Sequence, residues 1–171
     1  MNLTIESAAP TKDPAPKSDQ EKSLIEKYGL RVCTNRVVGV EFLCNPDWKI
    51  DMSSEASLIV ISANPDVSLI IAKIPSRFRF LAQIQSADFL ELKQYANGFV
   101  KEQTKLANQD AIMVKALSQD TPPKRLLDYF FIKDSMLYTV LFSVNPQEKW
   151  DDYKLLIKTI AQSIELLDNT D

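Results

Sequence analysis

Two nearly unbroken apolar runs constrain this chain most. Ser57 to Ala63 carries Leu58, Ile59, Val60 and Ile61, Val67 to Ile74 carries Leu69, Ile70 and Ile71, and only Asn64-Pro65-Asp66 separates them. Two β-branched runs joined by three turn-forming residues predict a hairpin. Neither run alternates apolar with polar residues, so both faces of these strands must be covered. At roughly 150 residues per domain, a chain of 171 residues is one domain with an appendage. A chain of this length buries about 70% of its unfolded surface, enough for a layered core without help from a metal or a disulfide.

The rest of the pattern supplies the partners of that hairpin. Asp19 to Tyr28, with Leu24, Ile25 and Tyr28 apolar, predicts a short helix ended by Gly29. Leu30 to Cys33 and Val37 to Cys44 read as a second hairpin; after Asn45-Pro46-Asp47, Trp48 to Met52 resumes in extended form. Segment Arg77 to Ile84 is either a strand extension or a loop. Ser86 is placed to cap a long middle helix reaching about Lys105, because Phe89, Leu92, Ala96 and Phe99 recur at helical steps and leave Glu91, Lys93, Lys101 and Glu102 toward water. A three-strand meander follows: Ala111 to Leu117, Arg125 to Lys133 and Met136 to Val144, with turns at Asp120-Thr121-Pro122-Pro123 and Asp134-Ser135. A closing helix is predicted from Asn145 as N-cap, Pro146 at the first position and Glu148 three residues after the cap. Its stripe is Trp150, Tyr153, Ile157, Ile160, Ile164 and Leu167. Strands grouped in runs rather than alternating with helices predict an α+β domain with a mainly antiparallel sheet.

What precedes Asp19 reads differently. Residues 1–18 hold Pro10, Pro14 and Pro16 among alanines and lysines, a composition that buries too little surface to order itself and predicts a spacer. The domain proper is then 19–171. Met1 to Glu6 lacks the basic start and apolar core of a signal peptide, and no run of about 18 apolar residues exists to cross a bilayer. The tail fits either an ordinary disordered N-terminus or the tether of an envelope lipoprotein whose anchor lies upstream.

Composition narrows the chemistry. There is no histidine, which removes the commonest general base, the usual partner of Ser and Cys nucleophiles and the commonest transition-metal ligand. The net charge of −3 argues against nucleic acid as a partner. The three glycines, Gly29, Gly39 and Gly98, are too far apart for a phosphate-cradling loop. No Cys-x-x-Cys pair, calcium loop or nucleophile elbow is present, and Asp151-Asp152, adjacent on a helix, diverge by about 100° and suit a helix N-terminus better than a metal. The expectation is a chain without catalytic, cofactor or metal residues. A Ser-Lys or carboxylate-pair hydrolase is the minority reading, since its members are distant in sequence and nothing marks them out.

Four features remain as candidates. Cys33 and Cys44 oppose each other only if the hairpin turns at Val38-Gly39, the register that also pairs Arg36 with Glu41. A longer loop through Asn35 to Gly39 shifts that register, and the pair is then either a disulfide or two buried thiols. Arg77-Phe78-Arg79-Phe80 alternates like a single-strand nucleic-acid platform, but at strand spacing it also puts two arginines in water and two phenylalanines in the core. Trp48 either plugs one end of the sandwich or meets a partner. Trp150 and Tyr153 belong to the core stripe. Trp48, Arg77 and Arg79 are thus the candidate partner surface.

Some of these residues resemble a known family. Gly39-Val40-Glu41-Phe42-Leu43-Cys44-Asn45-Pro46-Asp47-Trp48 resembles the opening motif of the PsbP-like and DcrB-like proteins, with Pro46 one place later than in that pattern. Leu137-Tyr138-Thr139, Ser143, Trp150 and Ser163-Ile164 resemble its closing meander and helix, with Ile164 in place of an aromatic residue. The acidic loop of the Ran-binding relative is not found. The resemblance implies an α-β-α sandwich: a central, mainly antiparallel sheet of about six to seven strands, covered by a long middle helix and a C-terminal helix. It also implies a non-enzymatic binding or accessory role without cofactor. Plant and cyanobacterial members assist photosystem II and bacterial members are commonly envelope lipoproteins, so a protein partner and the cell envelope or periplasm are expected. The alternative is a cytoplasmic regulator binding a protein or small ligand at one end of the sandwich.

Overall fold

The protein was examined as a computed structural model that describes residues 10–12, 18–51, 58–64, 66–85, 89, 90, 93, 95, 96 and 98–168. Its centre is β6 (Val67–Pro75), β9 (Arg125–Lys133) and β10 (Met136–Val144). β10 pairs with both neighbours along its whole length, from Met136 opposite Pro75 and Lys133 to Val144 opposite Val67 and Arg125. β4 (Lys49–Asp51) and β5 (Leu58–Asn64) extend this sheet on one side, β8 (Gln109–Leu117) and β7 (Val100–Leu106) on the other. The order is β4-β5-β6-β10-β9-β8-β7, seven antiparallel strands. Chain neighbours are sheet neighbours except where β10 folds back beside β6.

A smaller antiparallel sheet, in the order β1-β2-β3-β11, contains β1 (Pro10–Lys12), β2 (Arg31–Asn35), β3 (Val40–Cys44) and β11 (Glu165–Leu166). Pro10–Lys12, expected within the spacer, is therefore paired with β2; the rest of residues 1–17 lies outside the described residues. Ser18 caps α1 (Asp19–Tyr28), its Oγ accepting from the Glu21 N–H at 3.1 Å. Gly29 ends that helix in the left-handed region (φ 60°), which a side chain would resist.

Different covers lie on the two faces of the large sheet. On one, Leu69, Ile71, Leu127, Tyr129, Phe131, Tyr138, Val140 and Phe142 pack with Val32, Phe42 and Leu43 of the small sheet, Ile25 of α1 and Leu156, Ile157 and Ile160 of α3 (Trp150–Ser163). Opposite, Ile112, Val114, Ala116, Phe130 and Leu137 pack with Ile84 of α2 (Leu81–Ile84), Leu90 and Tyr95. Among the described residues this second cover reaches β8, β9 and the start of β10 but no residue of β6, where Ile70 is half-buried and Ile74 is 41% exposed. The expected cover on both faces of that strand is not met. Phe130 and Phe142, from adjacent central strands, are both fully buried, one in each layer. This is the expected α+β sandwich with seven strands in its main sheet.

Two helical expectations are corrected. The middle segment is no long helix: residues 89 and 90 are helical, Gly98 has φ +89°, and Val100–Leu106 forms edge strand β7, paired with β8 from Val100 opposite Lys115 to Leu106 opposite Gln109. The turn between them is Ala107-Asn108, both at positive φ (49° and 58°), a conformation that matches the twist of a two-residue hairpin. The expected cap Ser86, and Glu91 and Leu92, lie outside the described residues. The closing helix does not start from an Asn145 cap either. Pro146 is extended (φ −72°, ψ 159°), a 3-10 turn spans Gln147–Lys149, and no side chain caps α3. Its start is anchored instead by Asp66, whose carboxylate accepts from Lys149 Nζ at 2.8 Å and Tyr153 Oη at 3.0 Å. The Lys149 contact holds the Asp66 carboxyl below its usual pKa despite partial desolvation. At the far end Ser163 Oγ accepts from the Leu43 N–H at 2.8 Å, tying α3 to β3.

Truncating Phe142 to Ala should cost about 3–5 kcal/mol in urea unfolding, because a fully buried ring leaves a cavity between two strands and the small sheet. Val37→Ala, at a position 56% exposed, should stay within about 0.5 kcal/mol of wild type.

Candidate functional site

The cover formed by α3 and the small sheet is narrower than the sheet beneath it. Toward the β7 edge the sheet continues past the helix, and the gap is a cleft of about 780 Å³. Its floor comes from the sheet face that α3 partly leaves open: Met113 of β8, Leu127 and Tyr129 of β9 and Leu106 of β7, with Trp150, Ala161 and Ile164 along the helix side. Tyr129 sits edge-on to Phe142, ring centres 6.5 Å apart, which fixes the deepest aromatic of the floor. The guanidinium of Arg125 lies 5.6 Å from the Trp150 ring centre and holds the indole at one end.

Three lysines face this floor, Lys115 from β8 and Lys154 and Lys158 from α3; Lys105 also borders it, but strand alternation puts its side chain on the other face, opposite Asp110. Glu165 is the one acid in the lining. Lys105 pairs with Asp110 at 3.6 Å, Lys115 with Glu102 at 3.2 Å and Lys154 with Asp151 at 2.8 Å, all through exposed groups whose attraction water weakens. Lys158 has no ion pair among the described residues. Lys154 and Lys158 are one turn apart on the same helix face, so their charges repel.

The candidate residues read from the sequence fall elsewhere. Cys33 and Cys44 are joined as a disulfide with Cα atoms 5.9 Å apart. They are diagonal rather than opposed, since Cys33 faces Phe42 and Cys44 faces Arg31. The four-residue loop Arg36 to Gly39 sets that register, held by Asn35, whose Oδ1 accepts from the Val38 N–H at 2.9 Å. Trp48 is half-buried against the core near the start of β6. Arg77 and Arg79 are exposed beyond the end of β6, so the nine residues of that strand, about 30 Å at 3.3 Å per residue, separate them from Trp48. The proposed alternation in Arg77-Phe78-Arg79-Phe80 holds for one ring only. Phe78 packs edge-on against Phe89 at 5.0 Å, while Phe80 is 68% exposed beside the arginines.

A second polar site lies inside the opposite layer. Asp128, 2% exposed in the middle of β9, accepts from Tyr95 Oη at 2.5 Å through Oδ2, while its Oδ1 has no hydrogen-bond partner. Burial pushes its carboxyl up to about pH 6, outweighing the Lys93 charge and the Tyr95 hydrogen bond, which both act downward. Burial, with the adjacent carboxylate, raises the Tyr95 hydroxyl as well. The sequence signal was a lone acid within Leu126-Leu127-Asp128-Tyr129-Phe130-Phe131. Among the described residues no three Asp, Glu or Cys side chains converge as a metal site.

With this geometry in view, the solved structures can be compared. The cyanobacterial PsbP (CyanoP) of Synechocystis sp. PCC 6803 superposes with TM-score 0.57 at 16% identity, over 80% of this chain and 92% of that one. A Bacteroides thetaiotaomicron VPI-5482 protein gives 0.53 at 9% identity, over 78% of this chain and 47% of that one. PA94 of Pseudomonas aeruginosa, a protein of unknown function, gives 0.51 at 14% identity, over 78% and 94%. No family model and no curated protein matches the sequence. A two-face-covered antiparallel sheet whose meander is closed by a C-terminal helix defines a sandwich class. Within that class, this chain has the PsbP-like fold.

Asp128 makes stability pH-dependent in a definite direction. Its carboxyl binds a proton more tightly folded (about 6) than unfolded (3.8), so between those values the unfolded chain loses its proton first and stability falls as pH rises. Relative to wild type, Asp128→Asn should gain about 2–3 kcal/mol between pH 4 and pH 7.5 in urea titrations. An unchanged difference would show that folding leaves the proton affinity of Asp128 at its unfolded value.

Proposed function

We propose that this chain is a non-enzymatic accessory protein of the cell envelope that works by binding. The observation that carries the compartment is the Cys33–Cys44 pair, a disulfide across neighbouring strands of the small sheet. Such bonds persist in oxidising compartments and are rare in the cytosol, where thiol reductants act on them. The PsbP-like fold supports the accessory part of the reading, because the chain shares it with a cyanobacterial PsbP. Among the described residues no helix is long and apolar enough to cross a membrane, so attachment to the envelope in this reading is by a lipid anchor or a partner.

Two surfaces serve binding in this reading. Arg77 and Arg79, with the exposed ring of Phe80, present charge and an apolar face to a protein partner. The lysine-rimmed cleft is the recess for a ligand. Trp48 stays with the core at the opposite end of β6.

Alkylation of the native protein in denaturant, without reductant, tests the compartment. The chain isolated from its own cells should take up no label, then two labels after reduction, and should fractionate with the envelope. Two free thiols together with recovery in the cytosol would replace this reading with that of a cytoplasmic regulator.

A further inference from the structure

We propose that the cleft between α3 and strands β7 to β9 binds a small amphipathic anion, a carboxylate, sulfonate or phosphate carried on an apolar body. The proposal concerns what the recess holds and is independent of the compartment. Three observations converge on it.

The first is size. A recess of about 780 Å³ falls within the range of roughly 300–1,000 Å³ in which small-ligand sites occur, and is far larger than one anion needs. The second is the split lining. Half-buried Met113 and Trp150 keep apolar surface in the recess that gains by being dried, above the buried Leu106, Leu127 and Tyr129, and the polar groups sit around its mouth. A ligand matching that split carries its charge at one end and apolar surface on the rest.

The third is the sign of the rim. The chain is acidic overall, with a net charge of −3, yet the charged side chains on the cleft side of this lining are three lysines, Lys115, Lys154 and Lys158, and one acid, Glu165. Two of the lysines have partners that lie outside the lining, Glu102 for Lys115 and Asp151 for Lys154. Among the described residues Lys158 is without one, and it stands one turn from Lys154. Two ammonium groups on one helix face repel when the cleft is empty, and an anion between them turns that repulsion into attraction. Each ammonium offers three donors with no acceptor of its own, which selects an anionic head over a neutral one. Gln162, a further turn along α3, closes the mouth beside Lys158 and adds a neutral donor and acceptor.

Titration of the full chain with two probes tests this. 8-Anilinonaphthalene-1-sulfonate presents a flat aromatic body and dodecanoate an alkyl one, followed by fluorescence and by calorimetry respectively. N-phenyl-1-naphthylamine and 1-dodecanol are the uncharged counterparts, and acetate is the head alone. At least one of the two anions should bind at one per chain, at least about tenfold tighter than both its uncharged counterpart and acetate, and more weakly as salt rises. Binding of the sulfonate alone assigns a flat aromatic ligand, binding of dodecanoate alone an acyl chain, and both outcomes support the site. Lys158→Gln should weaken binding about fivefold to tenfold, and the Lys154→Gln/Lys158→Gln pair further. Gln162→Trp, which keeps every charge and fills the mouth, should abolish it. All three positions are exposed, so unfolding midpoints should stay near wild type. The proposal is overturned if neither anion binds, if the uncharged counterparts bind as tightly, or if the folded variants bind like wild type.

Discussion

The pairing of β10 with β6 on one side and β9 on the other is the constraint on which the rest of the molecule depends. Nine consecutive residues of β10 are in register with both neighbours, so the alternation of its side chains is fixed from Met136 to Val144. Tyr138, Val140, Phe142 and Val144 go to one core and Leu137 to the other. Slipping that register by one residue would exchange the two sets and leave four large apolar side chains facing the wrong cover. Everything else is arranged to cover what this strand and its neighbours leave bare.

The two covers are unequal, and the cleft follows from the inequality. The small sheet is pinned by the Cys33–Cys44 disulfide, by Ser163 bonding Leu43 and by β11 adding to β3, so α3 is held over the centre of the main sheet. It cannot also cover β7 and β8. The strip it leaves open is mixed, Met113 beside Thr104 and Lys115, and it becomes a recess because α3 flanks it with Trp150, Lys154, Lys158 and Gln162. On the other face, Ile84 of α2 with Leu90 and Tyr95 seals the layer, and among the described residues Asp128 is the one buried carboxylate within it.

Much of this architecture was legible in the sequence, for reasons that can be named. β9, β10 and α1 have the bounds expected of them because their punctuation is strong: Asp134-Ser135 at one turn, Gly29 at one helix end. The middle segment was misread because Phe89, Leu92, Ala96 and Phe99 carry a helical period that local reasoning cannot distinguish from a real helix. The sheet outweighed it: without Val100–Leu106, β8 would be an unpaired edge. Ala107-Asn108 was the available signal for that hairpin. The Cys33–Cys44 register turned on a loop of four residues, which composition does not determine. The cleft was illegible for a deeper reason. Lys115, Lys154 and Lys158 lie on two separate elements, and only the topology brings them around one floor.

β10, in register with β6 and β9 beneath the α3 cover, is the strand on which the rest depends, and native-state hydrogen exchange reads that most directly. The amides of Ile71, Val140 and Tyr129 should exchange only through global unfolding, with a free energy equal to that from urea denaturation and the same denaturant dependence. Amides of β7 should exchange through smaller openings. If the β10 amides exchanged instead by local opening, at a free energy well below the global value, the strand would not be the element on which both layers rest.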